Sequence, residues 1–456
     1  MIQFSASITS YPARVSAICY AGLIALGAVV LAQPFCHAAG AELSPLDALF
    51  TATSAVCVTG LVVRSTGHDF SLAGQVVILL LIQVGGIGIM TITTYVISTL
   101  GSRIDLRTRA LVSETVGARA MNLREILRNV LAFTLVVELA GAVPLFVRNL
   151  VNDAPLTAMW RAVFHSISAF CNAGFSLHDD SLSRFNGDPS VTLAVGGLIV
   201  IGGIGYPVML DVWIKRRRNP RQVWNSLTLH SRVMLIGTAA LLAIGAMAFL
   251  LLEWDGVLAG QPLWRRPFIA LFHSVTCRTA GFNTVDVASL TNAMLFVSML
   301  LMLIGAGPGS TGGGFKVTTL MILLLQAVSV FRGRARASVF RRTIPEGLVQ
   351  RASVIVMLFA ATAAVGLTLL LMVEQSSQPH AQSQGLFLDA SFEVVSALCT
   401  VGLSVGVTSH LTMAGQAIII VLMFVGRLGP ISVFAALSRS ARRETVEYPG
   451  EEVMIG

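Results

Sequence analysis

Long apolar runs separated by short polar ones dominate the chain. Stretches of roughly the 20 residues that a bilayer-spanning helix needs lie at 16–35, 76–100, 129–148, 191–214, 233–252, 291–326, 353–373 and 413–437, which predicts eight transmembrane helices. After each odd-numbered span comes a shorter apolar stretch of about three turns, too short to cross, which reads as a half-helix that enters from one side and returns. Asp47 and Asp389 begin two of these stretches, where an acid suits the partly positive N-terminus of a helix. The partly negative ends then face the middle of the membrane, where they favour cations.

A short pattern recurs where each half-helix ends. The first copy is Ser54-Ala55-Val56-Cys57-Val58-Thr59-Gly60-Leu61 and the second is Ser168-Ala169-Phe170-Cys171-Asn172-Ala173-Gly174-Phe175. The third is Val275-Thr276-Cys277-Arg278-Thr279-Ala280-Gly281-Phe282 and the fourth is Ser396-Ala397-Leu398-Cys399-Thr400-Val401-Gly402-Leu403. Phe50, Phe164 and Phe392 stand ten residues before their glycine; Phe272 stands nine before, as though one residue were deleted. Non-helical backbone inside a bilayer is tolerated where it lines water or is buried in protein, so four such segments around one axis make a pore. Carbonyl rings replace a potassium ion's hydration shell, and glycine reaches the backbone angles that stack them without a side-chain penalty. The predicted architecture is an all-α integral membrane protein with four helix, pore-loop, helix repeats (eight transmembrane helices, four pore half-helices) around a pseudo-fourfold pore. The repeats are placed at 16–101, 129–214, 232–326 and 353–437, followed by a cytosolic tail at 438–456.

The even-numbered spans carry a second repeat: Gly85-Gly86-Ile87-Gly88, Gly202-Gly203-Ile204-Gly205, Gly305-Ala306-Gly307-Pro308-Gly309 and Gly426-Arg427-Leu428-Gly429-Pro430. Each is expected to break or thin its helix. The third extends through Ser310, Thr311, Gly312, Gly313 and Gly314, a run that cannot stay helical given the cost of glycine and proline. An unwound intramembrane loop at 305–314 is therefore a candidate gate below the filter, with a simple hinge as the alternative. Lys316 and Arg427 are charges within apolar spans and should face the cavity rather than lipid.

Composition agrees with a bilayer. Of 456 residues 55% are hydrophobic and 12% charged, with mean hydropathy +0.78, more apolar surface than a soluble fold of this size hides. The net charge of +8 suggests nucleic acid only until its distribution is read, because the basic residues sit in loops with no interleaved aromatic stripe. Arg103, Arg107, Arg109 and Arg119 lie in the loop after span two; Lys215, Arg216, Arg217, Arg218 and Arg221 follow span four; Arg332, Arg334, Arg336, Arg341 and Arg342 follow span six. Arg14 precedes the first span, and Arg439, Arg442 and Arg443 follow the last. Short basic loops stay cytoplasmic, so both termini are expected inside. Arg14 before an apolar core imitates a signal sequence, but the first span has a counterpart in every later repeat. The six cysteines form no CxxC pair, and free thiols are expected.

Together, four filter motifs ending in Gly60, Gly174, Gly281 and Gly402 and a GPGSTGGG loop in the third repeat resemble the Ktr/Trk/HKT superfamily of potassium transporters over nearly the whole chain. Phe164-His165-Ser166-Ile167-Ser168-Ala169-Phe170, Arg278-Thr279-Ala280-Gly281-Phe282-Asn283, Gly426-Arg427-Leu428-Gly429-Pro430 and the tail around Tyr448-Pro449 look like the bacterial KtrB-type membrane subunit. The resemblance implies filter positions at Val56, Cys57, Val58, Thr59 and Gly60, at Cys171, Asn172, Ala173 and Gly174, at Arg278, Thr279, Ala280 and Gly281, and at Cys399, Thr400, Val401 and Gly402, with K+ at the four glycines. It implies a gate at 305–314 held by Arg427, and a homodimer on a cytosolic nucleotide-binding regulatory ring of the KtrA type. The nucleotide is expected on that partner, with no cofactor in this chain, and the location is the bacterial cell membrane. Gly60 argues for potassium, because sodium-preferring plant relatives often carry serine there. The filter cysteines depart from the family pattern and are expected to sensitise the pore to thiol reagents.

Other classes fit less well. The GxGxxG match at Gly307, Gly309 and Gly312 lacks the preceding strand that a dinucleotide fingerprint requires. An intramembrane protease using Ser310 or His165 has no partner at matching depth. Carriers with broken helices usually show two inverted halves, whereas all four repeats here share one orientation.

Overall fold

The computed structural model describes residues 12–101, 123–217, 219–334, 336–340, 342–374, 379, 383 and 385–429. The tail at 438–456, Arg103, Arg107, Arg109, Arg119, Arg218, Arg341 and Pro430 lie outside the described residues.

The chain folds as fifteen described α-helices, and each predicted repeat is a long helix, a short one, and a second long or broken one. The first comprises α1 (Pro12–Leu31), α2 (Pro45–Cys57) and α3 (Leu72–Gly101). The second comprises α4 (Leu123–Asn149), α5 (Pro155–Phe170) and the pair α6 (Pro189–Ile204) and α7 (Tyr206–Lys215), which bends by 98° at Gly205. After the short α8 (Pro220–Ser226), the third has α9 (Leu229–Leu252), α10 (Arg266–Thr276), α11 (Asn292–Leu303) and α12 (Val317–Phe331). The fourth has α13 (Glu346–Glu374), α14 (Leu386–Leu398) and α15 (Met413–Leu428). Among the described residues three helices are long and apolar enough to cross a bilayer alone, at Glu125–Asn149, Leu229–Leu252 and Glu346–Glu374, and the bent α6/α7 pair meets the same length and composition when taken together. Helices α4 and α13 start six or seven residues before the predicted spans, because helical hydrogen bonding continues into polar ends that hydropathy does not register. A small hairpin, β1 (Ser338–Val339) with β2 (Arg342–Thr343), precedes α13 and was not anticipated.

Local chemistry sets the helix starts. Ser44 and Asp47 form a reciprocal capping box on α2, 3.1 Å in both directions, with Pro45 at the first helical position, the arrangement that satisfies two otherwise orphaned amides. Thr228, Thr291 and Thr412 cap α9, α11 and α15. In the last two repeats an acid ending the first long helix fastens the start of the second. Glu253 accepts from the amide and hydroxyl of Thr291 at 2.8 and 2.7 Å, and Glu374 does the same for Thr412 at 3.0 and 2.7 Å.

The packing closes into a ring. Helix α3 packs on α5 of the next repeat, α6 on α10, α11 on α14, and α15 back on α2. At the centre Phe50, Phe164, Phe272 and Phe392 are all fully buried, so the recurring aromatic is the wedge that seats each short helix. The outer faces remain apolar, with Leu139, Val143, Leu251, Met357 and Val365 exposed, as lipid contact requires.

Candidate ion-conducting site

The four short helices end at Cys57, Phe170, Thr276 and Leu398, and a non-helical turn leads from each to its glycine. Gly60, Gly174, Gly281 and Gly402 all have positive φ, at 96°, 70°, 77° and 92°. They form a closed ring. A β-carbon on Gly60 would lie 3.0 Å from the Cα of Gly174, on Gly174 2.9 Å from Gly281, on Gly281 3.2 Å from Gly402, and on Gly402 3.0 Å from Gly60. Glycine is thus required twice, by backbone angle and by the approach of the neighbouring copy.

Two residues before each glycine the backbone is also left-handed: Val58 (57°), Asn172 (59°), Thr279 (65°) and Thr400 (48°). Three of these are β-branched, for which such a conformation is costly, and nothing in their identity signals it. The cost is met by hydrogen bonds that the repeat supplies. The amides of Thr59, Ala173 and Val401 bond to the carbonyls of Ser54, Ser168 and Ser396, 2.8 Å each. The Ser54 and Ser396 hydroxyls accept from Gly60 and Gly402 at 3.1 Å. In the third copy Ala280 bonds Thr276, one residue nearer, at 3.1 Å, as its one-residue deletion demands.

Above the ring is a vestibule of about 350 Å³, lined by the glycines together with Val62, Ser65, Thr66, Ser176, His178, Asp179, Ser181, Asn283 and Ser404. The Ser65 hydroxyl donates to Asp179, tying the first two repeats together. Burial lowers the His178 imidazole to about 4, helped by the positive charges of Arg184 and Arg161, so the vestibule gains no positive charge from it at neutral pH.

Below the ring lies the segment between α11 and α12. Gly312 and Gly313 fit against the underside of the filter, where a β-carbon would meet Thr279 Oγ1 and Thr400 Oγ1 at 2.2 Å each. Gly307 donates to the Gly203 carbonyl (2.8 Å) and Gly309 accepts from Tyr206 (3.0 Å), so the loop leans on the α6/α7 bend. The Ser310 hydroxyl donates to Gly307 O at 2.6 Å, and Thr311 Oγ1 lies 3.3 Å from Phe170 O at the end of α5. Gly305 bonds Phe315 at 2.9 Å, and a β-carbon on it would strike Gly313 O. Gly314 takes positive φ, and Ala306 and Pro308 complete a buried or half-buried turn. Lys316 Nζ donates to Gly312 O at 2.7 Å. Arg427, 3% exposed, donates one Nη to Thr311 O and the other to Gly85 O at 2.8 Å. Two basic side chains therefore grip consecutive carbonyls directly under the glycine ring.

Three expectations are corrected. The first copy of the second glycine repeat does not break its helix, since α3 runs unbroken through Gly85, Gly86 and Gly88, whereas the fourth keeps Gly426 helical and ends α15 at Leu428, with Gly429 at positive φ. Those glycines serve close approach: β-carbons on Gly85, Gly202 and Gly426 would lie 2.1, 1.9 and 1.9 Å from the carbonyls of Val56, Phe170 and Leu398, the ends of the short helices. The filter cysteines are also not open to reagents. Cys57, Cys171, Cys277 and Cys399 have no exposed surface, and Cys171 points away from the ring toward Gly86 and Gln83. Third, Arg278 stands where the other copies have cysteine, 7% exposed and with Nε unpartnered, against a small void beside Ile199, Leu242 and Ala306. Sequence reading also passed over Glu138 in α4. This buried acid accepts from Gln83 Nε2 at 3.0 Å behind Cys171, and its signal was an ionisable group inside an apolar span.

The TrkH family model, described as a cation transport protein, matches residues 24–444. The chain is 38% identical over 449 residues to "Ktr system potassium uptake protein B" of Vibrio alginolyticus, covering 97% of this chain and 94% of the relative. It is 36% identical to the protein of the same name from Bacillus subtilis (strain 168), covering 98% and 97%. To "Potassium/sodium uptake protein NtpJ" of Enterococcus hirae it is 37% identical, covering 95% of each. The crystal structure of the potassium transporter TrkH from Vibrio parahaemolyticus superposes with a TM-score of 0.72 at 20% identity, over 93% of this chain and 84% of that one, which shows a shared fold. On the family model and these full-length relatives, the chain belongs to the TrkH family of cation transport proteins, a family of membrane transporters and not of enzymes.

Proposed function

We propose that this chain is the ion-translocating subunit of a potassium uptake system, passing K+ through the ring of Gly60, Gly174, Gly281 and Gly402. The observation that carries the reading is that ring itself: four left-handed glycines in mutual contact, each at the end of a short helix whose partly negative terminus faces inward. Carbonyls held in this way exchange for the hydration shell of a cation. The relatives named for potassium uptake support K+ as the ion, and the one named for potassium and sodium leaves sodium-assisted uptake open.

The loop at 305–314 is the gate in this reading, held shut by Lys316 and Arg427, with the Arg427 guanidinium placing positive charge where a cation would leave. The subunit sits in the bacterial cell membrane with both termini cytoplasmic and works as a homodimer. A cytosolic nucleotide-binding ring opens it, docking on the basic loops and the tail. The word "system" in the relatives' names supports a multi-subunit assembly.

The test is rubidium uptake into liposomes containing the purified chain together with its cytosolic partner, with sodium as competitor. Selective uptake is expected, abolished by Gly402→Asp and shifted toward sodium by Gly60→Ser. A Gly60→Ser variant with the parent's ion preference would remove carbonyl coordination at that position.

A further inference from the structure

The residue that follows each wedge phenylalanine is Thr51, His165, His273 or Glu393, and the residue two after each filter glycine is Val62, Ser176, Asn283 or Ser404. In the second and fourth repeats these two positions are joined. His165, 3% exposed, has Nδ1 2.7 Å from the Arg161 carbonyl, which fixes the proton there and leaves Nε2 as an acceptor. That Nε2 lies 3.0 Å from the Ser176 hydroxyl, whose single proton it shares with the Ser181 carbonyl at 3.1 Å. Glu393, with no exposed surface, accepts from the Ser404 hydroxyl and from Thr408 Oγ1 at 2.7 Å. Each serine also holds the loop beyond it, accepting from the amides of His178 and Gly406 at 3.0 and 2.9 Å.

The other two repeats lack this link. Thr51 is buried with its hydroxyl unpartnered, and its counterpart Val62 is apolar. His273 turns away to Ser298 on α11 at 2.9 Å and to Cys277. Asn283 is held from the neighbouring repeat, with its amide 3.3 Å from Ser181 Oγ. The glycines contact one another in the order 60, 174, 281, 402, so the two linked copies face each other across the axis.

We propose that the pairs His165–Ser176 and Glu393–Ser404 are positioning braces that fix the outer rim of the filter along one diameter, and that K+ over Na+ discrimination depends on them. The physical reason is that a smaller ion is accepted when the coordinating backbone contracts around it. A serine tied to a buried side chain of the short helix keeps its glycine from following. The rim is then stiff in one direction and softer in the other, twofold in mechanics although fourfold in outline. The proposal rests on the filter reading above.

Ion binding to the purified full-length chain tests it, because the vestibule reaches the ring without passage through the gate. Dissociation constants for K+ and Na+ are measured by titration calorimetry, with melting temperature recorded for each variant. Ser404→Ala and Ser176→Ala are each expected to cut the K+ over Na+ preference about fivefold, the value of one hydrogen bond. Ser404→Thr and Glu393→Gln, which retain a donor and an acceptor, keep it. Thr51→Val, the same position in an unbraced repeat, leaves it unchanged. Wild-type preference in both alanine variants at wild-type melting temperature would overturn the brace, as would an equal loss in Thr51→Val. A wild-type chain that binds Na+ as tightly as K+ would instead overturn the filter reading, and the brace with it.

Discussion

At the scale of single residues, the glycine ring shows what identity reveals and what it hides. The four glycines were legible because they recur in register and because no other residue fits a positive φ against a neighbouring backbone. The left-handed Val58, Thr279 and Thr400 were not, since their intrinsic preference points the other way and only the surrounding packing overrides it. Outside the membrane, Asp188 caps α6 through Ser190 and pairs with Arg148 at 2.7 Å. Burial would raise its carboxyl, but the bonds from Ser190 and Arg148 outweigh that and hold it below its ordinary value. A depressed carboxylate contributes stability that is present above the unfolded value and lost as pH falls through the folded one. Asp188→Ala is therefore expected to cost about 1 kcal/mol at neutral pH. The gap should close below the usual carboxylate range, as read from melting temperatures of the detergent-solubilised protein.

Among the elements, the intramembrane segment between α11 and α12 was legible in outline, because no run of glycine and proline of that density stays helical. Its partners were not, since they come from four separate parts of the chain. The glycines of α3 and α15 mislead for a related reason: glycine in a membrane helix signals either a break or a close approach, and periodicity does not separate the two. Arg427→Ala removes two charge-assisted hydrogen bonds, each worth roughly 1.5–3 kcal/mol. Deleting part of 306–313 removes the obstruction itself. Both changes are expected to raise potassium flux about tenfold or more in vesicle uptake, and unchanged flux in a folded variant would leave a plain hinge in place of a gate. Gly313→Ala, whose methyl group would collide with Thr400 Oγ1, is expected to act in the same direction.

For the molecule as a whole, the decisive feature is cyclic packing of each repeat's second helix on the next repeat's short helix, which hydropathy cannot give because it orders spans along the chain and not around an axis. The hairpin before α13 escaped notice because two residue pairs carry no readable alternation. The tail after Ser438 is the proposed contact for a cytosolic partner. Truncation there should abolish co-purification of that partner while leaving ion binding by the isolated chain intact; retained co-purification would assign docking to the basic loops.

The bend at Gly205 has a mechanical consequence. Helix α7 is roughly 15 Å long. Its far end is latched through Lys215 and Asp211 to Ser226 and Thr228, and its near end carries the Tyr206 amide on which Gly309 rests. That makes α7 a strut, anchored at its basic end and bearing on the loop at the other. Any displacement of the anchor reaches Gly309 through one short helix, and the Tyr206 bond at 3.0 Å is expected to part before the helix does.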